Sequence, residues 1–519
     1  MTEADPGAVA DAYLLHRAAR EGKRDLLRTL MRNGHSQLST DGLGRSPLHE
    51  AAEAGNIGCI RELLSKFCCY SDMVDYVNKK ALQGCNAMSL AAAKGHVDIV
   101  KLLLNAGSKI NIKDGEGLTP LHHAVSNCHL DMVKVLIRKG ADVNATNFKH
   151  RSCLHDAVAL GLSEIVRILV PLCHLELRDN KQKTALFLAA RKDSNICLEI
   201  LADAGACVNT QLDDCTTPLM AATKNESEAC VKTLLRHNAN PNIVCSRLWP
   251  KLPIHTAAKL GNGKILKSLI DVTDRNIDHR KGMVSPVYEA VENPQMLDLL
   301  LKEGFNPNGQ DCKNVYDIDS PLALALSYAV DELIDSRSVE LLVEAGALVT
   351  KDSWDVFLIE PEFLSTLLEH RQKVSKEKKR TELFTPKELK KLQRVAAKHD
   401  SEADDWLPTL LTCGLDPSLF LLSDLFLTVD GKVLNYLLDF VNWSTLSQQL
   451  KEIMEQRLKS NTWTPHPHQE CVPSLFHLCR LQIRQVLGSD VLMRTNIVES
   501  LPVPSLLHSC LRFDDILPP

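Results

Sequence analysis

Thr119-Pro120-Leu121-His122, with Ala124 behind it, opens a unit that continues through the apolar run Met132, Val133, Val135, Leu136, Ile137. The unit closes at Gly140-Ala141-Asp142-Val143-Asn144. The same frame returns along the chain. The position of Leu121 is taken by Leu15, Leu48, Met88, Leu154, Leu186, Leu219, Ile254, Val287 and Leu322 in the other units. The ten positions are spaced by 33, 40, 33, 33, 32, 33, 35, 33 and 35 residues. A period near 33 marks a repeat architecture, in which each unit is one supersecondary module. Pro lacks an N–H and has φ preset for a first helical turn, so Thr-Pro is a helix start. The pairs Ala51-Ala52, Ala91-Ala92, Ala189-Ala190 and Ala257-Ala258 are small enough to let neighbouring helices approach closely. Ile99, Val100, Leu102, Leu103 and Leu104 form the apolar stripe of a second helix. Glycines at 55, 95, 161 and 261 fall in the turn between the helices, and those at 107, 140, 205, 304 and 346 fall at the second helix's end.

This frame resembles the ankyrin repeat. The Asn/Asp/Pro-rich stretches Asn240-Pro241-Asn242 and Asn306-Pro307-Asn308 match that family's extended β-turn. The resemblance implies an all-α solenoid of helix-turn-helix units joined by β-turn loops, in which no unit buries its apolar face alone. About ten to eleven units are expected over residues 1–370, the last, degenerate one running from Trp354 to His370. The long second step implies an insertion of about seven residues around Phe67–Lys80, expected as a loop on one face. The recurrent histidines His16, His49, His122, His155 and His255 fall one per unit, so they read as structural hydrogen-bonding groups rather than metal ligands.

Composition agrees with a helical array. The chain has 519 residues, of which 45% are hydrophobic, 24% charged and only 5% aromatic, with a formal net charge of −5. That charge gives no general attraction to nucleic acid or an anionic membrane. No run approaches the ~18 apolar residues that span a bilayer. The start, MTEADPGAVADAYLL, lacks a basic region and an apolar core, and Thr2 stands where myristoylation needs glycine. The seventeen cysteines are scattered and read as small buried residues in a reducing, cytoplasmic compartment. Nuclear entry through Lys376–Arg380 is a further option.

After His370 the register breaks. Residues 371–402 read as a charged linker or helix, and 403–470 as a helical subdomain carrying Leu407, Leu410, Leu411, Leu419–Leu422, Leu434, Leu437, Leu438 and Trp443. The set His466, His468, Glu470 and Cys471 has no matching ligand pair elsewhere and is not read as a metal site.

Residues 471–519 decide the function. Pro473-Ser474 starts a helix whose apolar face carries Leu475, Leu478, Cys479, Ile483, Val486 and Leu487. Downstream, Leu501-Pro502-Val503-Pro504 forces an extended chain, with Leu507 three residues on. This segment resembles the SOCS box. The resemblance assigns Leu475, Leu478, Cys479, Ile483 and Leu487 to contact with elongin C, and Leu501, Pro502, Val503, Pro504 and Leu507 to the choice of cullin-5. The chain ends Cys510-Leu511-Arg512-Phe513 where that family often has Tyr-Leu-Leu-Tyr. Cys479 reads as a small apolar knob, since His477, two residues away, lies on another helix face. An array followed by this box is similar to the ankyrin-repeat and SOCS box family. That implies a non-catalytic substrate receptor joining elongin B, elongin C, cullin-5 and a RING subunit to an unknown target protein. No cofactor, metal, nucleic acid or membrane is expected. The rival reading is an ankyrin scaffold without ligase function. No GxSxG, Walker A, HExxH or dinucleotide fingerprint supports an enzyme.

Overall fold

In the computed structural model the described residues are 6–465, apart from 246–250, 275–284, 309–319, 332, 379–382, 400–402, 414, 440 and 442–445. They fall into two compact units, one within residues 1–257 and 264–273, the other within 258–263 and 274–519. Regular secondary structure among them is helical, with two isolated bridges, Thr146 to Ser152 and Cys245 to Lys251.

The first unit is built by repetition. Its first helices, Pro47–Ala54, Ala87–Ala93, Pro120–Ser126, Cys153–Ala159, Ala185–Arg191 and Pro218–Lys224, stack each on the next. Ala51, Ala91, Ala124, Ala157, Ala189 and Ala222 are fully buried at these contacts, where a larger side chain would force the helices apart. The second helices, including Ile57–Leu64, Val97–Asn105 and Leu130–Arg138, bury Ile60, Leu63, Val100, Leu103, Val133 and Leu136 completely. Each such side chain contributes about 1.5–3 kcal/mol relative to an exposed one.

The helix starts are capped as the Thr-Pro frame implies. The hydroxyl oxygens of Thr184 and Thr217 accept from the N–H of Phe187 and Met220 at 3.3 and 3.2 Å. Such caps are worth about 1 kcal/mol each. The recurrent histidines complete the frame. In His49, Nδ1 accepts the Ser46 N–H at 3.0 Å, and Nε2–H donates to the Lys79 carbonyl at 3.1 Å. His122 does the same between Thr119 and Arg151, and His155 between Ser152 and Lys183. One side chain thus caps its own helix and ties it to a carbonyl in the next unit, which is the structural role read from their recurrence.

Between units the chain forms fingers closed by an Asp or Asn. Asp41 Oδ1 accepts from the N–H of Leu43 and Arg45, and Asp114, Asn147 and Asp179 repeat the pattern. Each finger then donates to its neighbour: Leu82 N to Leu43 O at 2.9 Å, Gly115 N to Gln83 O at 3.0 Å, Phe148 N to Glu116 O at 3.1 Å and Asn180 N to Lys149 O at 3.1 Å.

One expectation is corrected. The insertion after the second unit is an extra helix, Tyr70–Val77, rather than a loop. Tyr76 and Val77 are buried, the Tyr76 hydroxyl donates to the Gln37 carbonyl at 3.1 Å, and its ring meets Phe67 at 5.0 Å. Seven extra residues that include two apolar anchors gain more by packing than by staying solvated.

In the second unit helix pairs go on stacking. Pro321–Val330 packs on Lys351–Ile359, which packs on Pro386–Ala396. Arg337–Glu344 packs on Pro361–Lys378, and that helix on Ala403–Thr412. The charged stretch after His370 therefore includes the end of one helix and most of another. In the second, Leu392, Val395 and Ala396 are buried. Glu388 is buried too, accepting from Thr385 N at 2.8 Å, Val349 N at 3.0 Å and Arg371 Nη2 at 3.2 Å. Trp354, fully buried, donates to the Glu388 carbonyl at 3.2 Å.

Candidate functional site

Two regions bear on the expected function: the repeat array of the first unit and residues 471–519, which lie outside the described residues. Along the first helices and fingers, the positions the frame does not fix vary from unit to unit. At the early units these hold ion pairs. Arg20 meets Glu50 at 2.6 Å, and Arg45 bridges Glu50 at 3.7 Å and Glu53 at 2.7 Å. Farther along, Arg151 pairs with Asp156 at 2.9 Å. Beyond it the face turns basic. Burial, together with the neighbouring Arg191, Lys181 and Arg151 charges, pulls the Lys183 ammonium below its ordinary value. Lys224 occupies the frame position of Arg191 one unit on. Exposed apolar side chains sit on the finger tips, with Leu82 78% and Phe148 67% accessible.

One constellation on this face was not anticipated. Cys85 lies on the finger of one unit, and Asp114 and His123 on the finger and first helix of the next; their donor atoms all lie within 4.8 Å of one another. His123 Nε2 is 2.9 Å from Asp114 Oδ2, and Cys85 Sγ is 3.9 Å from the same oxygen. Read along the chain, His122-His123 is simply a repeat histidine with a neighbour, and Cys85 stands 29 residues before Asp114.

The buried thiols among the described residues are poor nucleophiles. Burial pushes Cys59, Cys197 and Cys245 up, and Cys230 to about 12. The exposed Cys69 is shifted down, chiefly by the Ser71 hydroxyl. A thiol that stays protonated is neither a good nucleophile nor a thioester-forming group.

The ten residues expected to contact the adaptor, Leu475, Leu478, Cys479, Ile483, Leu487, Leu501, Pro502, Val503, Pro504 and Leu507, lie outside the described residues, as do Trp443 and the 466–471 histidine cluster. The chain leading up to them is held firmly. Trp463 Nε1 donates to Asn435 Oδ1 at 2.8 Å, and Asn435 Nδ2 donates to the Thr464 carbonyl at 2.9 Å. Arg457, on helix Gln448–Lys459, donates to the carbonyls of Phe426 at 2.9 Å and Thr462 at 3.3 Å.

Comparison with known proteins decides the family. Models of ankyrin repeats match residues 15–114, 71–147, 90–179 and 154–245, and the SOCS box model matches 471–512. The human ankyrin repeat and SOCS box protein 3 is 34% identical over 510 residues, covering 96% of this chain and 94% of its own length. The chain belongs to the ankyrin-repeat and SOCS box protein family. The bovine protein 3 is 33% identical over 505 residues, with 96% and 93% covered. Mouse ankyrin repeat and SOCS box protein 14 is 29% identical over half of this chain. Membership supports a substrate-adaptor role in a ubiquitin ligase, with a receptor's work rather than an enzyme's. Among the described residues no helix is long and apolar enough to cross a membrane.

Proposed function

We propose that this chain is the substrate-recognition subunit of a ligase built from elongin B, elongin C, cullin-5 and a RING subunit. The observation that carries the reading is the SOCS-box match over 471–512, within which Leu475, Cys479 and Ile483 fall at four-residue spacing and Leu501-Pro502-Val503-Pro504 follows. In this reading 471–519 is the adaptor box, 1–370 the target-binding array, and 371–402 with 403–470 the spacer between them. Leu475, Leu478, Cys479, Ile483 and Leu487 enter a groove of elongin C, and Leu501, Pro502, Val503, Pro504 and Leu507 meet cullin-5. The target lies along the finger tips and first-helix face, where the charges of Lys183, Arg191 and Lys224 favour an acidic stretch. Bound there, it is held near the charged conjugating enzyme. Ubiquitin transfer is then promoted by raised local concentration, with proteasomal degradation as the outcome. Such a receptor works in the cytoplasm, and in the nucleus if Lys376–Arg380 directs it there.

The test is co-purification with elongin B and elongin C, followed by addition of cullin-5. The full chain is expected to form a stoichiometric complex. A truncation after Glu470 and the double variant Leu475→Ala, Cys479→Ala should fail to, because burying Leu475 alone contributes about 1.5–3 kcal/mol. Undiminished binding by the folded double variant would refute the residue assignment. A folded full chain that ignores elongin would leave an ankyrin scaffold without ligase function.

A further inference from the structure

We propose that Cys85, Asp114 and His123 form a zinc(II) site on the open face of the array, with one coordination position left to water. This inference stands apart from the ligase reading and neither needs nor supports it.

The donors are assembled by the repeat frame itself. Asp114 Oδ1 is occupied by the N–H groups of Glu116 and Leu118, at 2.9 and 2.8 Å, which fixes the carboxylate plane. Its Oδ2 is thereby aimed at His123 Nε2, 2.9 Å away, and at Cys85 Sγ, 3.9 Å away. Cys85 is held in its own finger by the bond from Ala81 N to Cys85 O at 2.9 Å. The two fingers are tied by the bond from Gly115 N to Gln83 O at 3.0 Å. The Asp114 side chain is only 6% exposed, and that of His123 19%. This nearly buried carboxylate oxygen faces an imidazole nitrogen and a thiol, two further donors that zinc binds once their protons leave.

The donor set selects the metal. Tetrahedral zinc takes thiolate at ~2.3 Å and imidazole and carboxylate at ~2.0–2.2 Å, so its donors sit roughly 3.3–3.6 Å apart. The observed 2.9 and 3.9 Å lie on either side of that range, and all three donor atoms fall within 4.8 Å of one another. Calcium and magnesium need six or more oxygens, which one carboxylate cannot supply. Loading requires the Cys85 thiol to lose its proton to solvent, so each ion bound releases a proton.

The other units supply an internal comparison. The frame position of Cys85 holds Arg45, Leu118, Arg151, Lys183 and Thr216 elsewhere. That of His123 holds Glu50, Leu90, Asp156, Leu188 and Ala221. Two of those units spend the two positions on ion pairs, Arg45 with Glu50 and Arg151 with Asp156. Among the described residues, it is at this junction that a sulfur and an imidazole meet a buried carboxylate.

The test uses the full chain, stripped with EDTA and titrated with cobalt(II), then with zinc(II). One equivalent of cobalt is expected to produce a thiolate-to-cobalt absorption in the near ultraviolet, and zinc to abolish it. Cys85→Ser should lose the band. His123→Gln, a partly exposed position outside the buried core, should weaken binding by ~100-fold or more, beyond what loss of an outer-shell partner costs. Zinc should raise Tm in the unmodified chain and in neither variant. A band that survives in Cys85→Ser, or an affinity unchanged in His123→Gln, would assign the metal to other cysteines and overturn the proposal. So would the absence of any thiolate band at micromolar metal.

Discussion

Acidification should unlock the array before it protonates Glu21 and Glu62, which arginine holds ionised. His49 and His122 are neutral in the fold because burial lowers both from the ordinary 6.5 to about 4. The geometry shows why the proton is unwelcome. Nδ1 accepts a backbone N–H from Ser46 or Thr119, and a proton there would set donor against donor. The sign follows from the depressed folded value. Between pH 6.5 and 4 the unfolded chain binds more protons than the folded one, so stability is fully present above 6.5 and is lost as pH falls towards 4. At pH 5 each imidazole costs about 2 kcal/mol, and the two together about 4, with His155 shifted the same way. Glu21 and Glu62, lowered to about 2 by hydrogen bonds from arginine, titrate in a separate and more acidic window. The assay is urea unfolding at pH 7, 6 and 5 with hydrogen exchange to locate the loss, since repeat arrays need not unfold in one step. Protection should fall first at the helix starts near residues 46–49 and 119–122. The His122→Gln variant should lose its own share of the pH dependence, about 2 kcal/mol at pH 5. Equal stability at pH 7 and 5, or the same slope in that variant, would refute the neutral-cap account.

Two further substitutions probe the frame at other points. Glu388→Ala removes the carboxylate that pairs with Arg371 and accepts the N–H groups of Thr385 and Val349, so the second unit should lose about 3–5 kcal/mol. A thermal unfolding midpoint unmoved in that variant would show that the buried cluster is not what joins those helices. Gly84 has φ of +78°, and a Cβ there would stand 2.8 Å from the Asp114 carbonyl carbon, which is backbone and cannot turn aside. Gly84→Ala should cost about 2–4 kcal/mol from left-handed strain plus overpacking. Hydrogen exchange should quicken at residues 81–85 and 114–118, and unchanged protection there would count against finger-to-finger packing as the cause.

The array was legible because its frame residues each perform one repeated local task, so a single unit teaches the rest. Where the frame is imposed by neighbours rather than spelled locally, the sequence is silent. Cys128, Asp193 and Glu226 take φ of 61°, 57° and 56° at the turn position that other units fill with glycine, and nothing in those side chains announces it. The helix Tyr70–Val77 was missed because its anchors, Tyr76 and Val77, are buried against structure on either side of the insertion. After His370 the surface lysines dominate the composition. A helix after Pro386 was still legible, but its packing role was not, since its inward face is narrow and includes a buried Glu388. The Cys85, Asp114 and His123 cluster needed the register between two units, which no single stretch of chain contains.

The same division separates two kinds of phenotype. Frame groups are consumed internally. The repeat histidines, the finger aspartates and asparagine and the N-cap hydroxyls each have their hydrogen bonds met by backbone, so changing them acts through stability. The positions the frame leaves free, such as Lys183, Arg191, Lys224, Leu82 and Phe148, contribute little to folding and are available for recognition. A target-binding defect produced at Arg191 or Phe148 should therefore leave Tm unchanged, whereas one produced at His122 should track it. The ends of the chain divide the same way. The bonds among Arg457, Asn435 and Trp463 hold the last described helices to the strand of chain that precedes the adaptor box. Loosening Trp463 would disturb how the box is presented while leaving its own contact residues unchanged. On the proposed function, a Trp463 variant should keep its affinity for the isolated adaptor while ubiquitin transfer to a bound target falls.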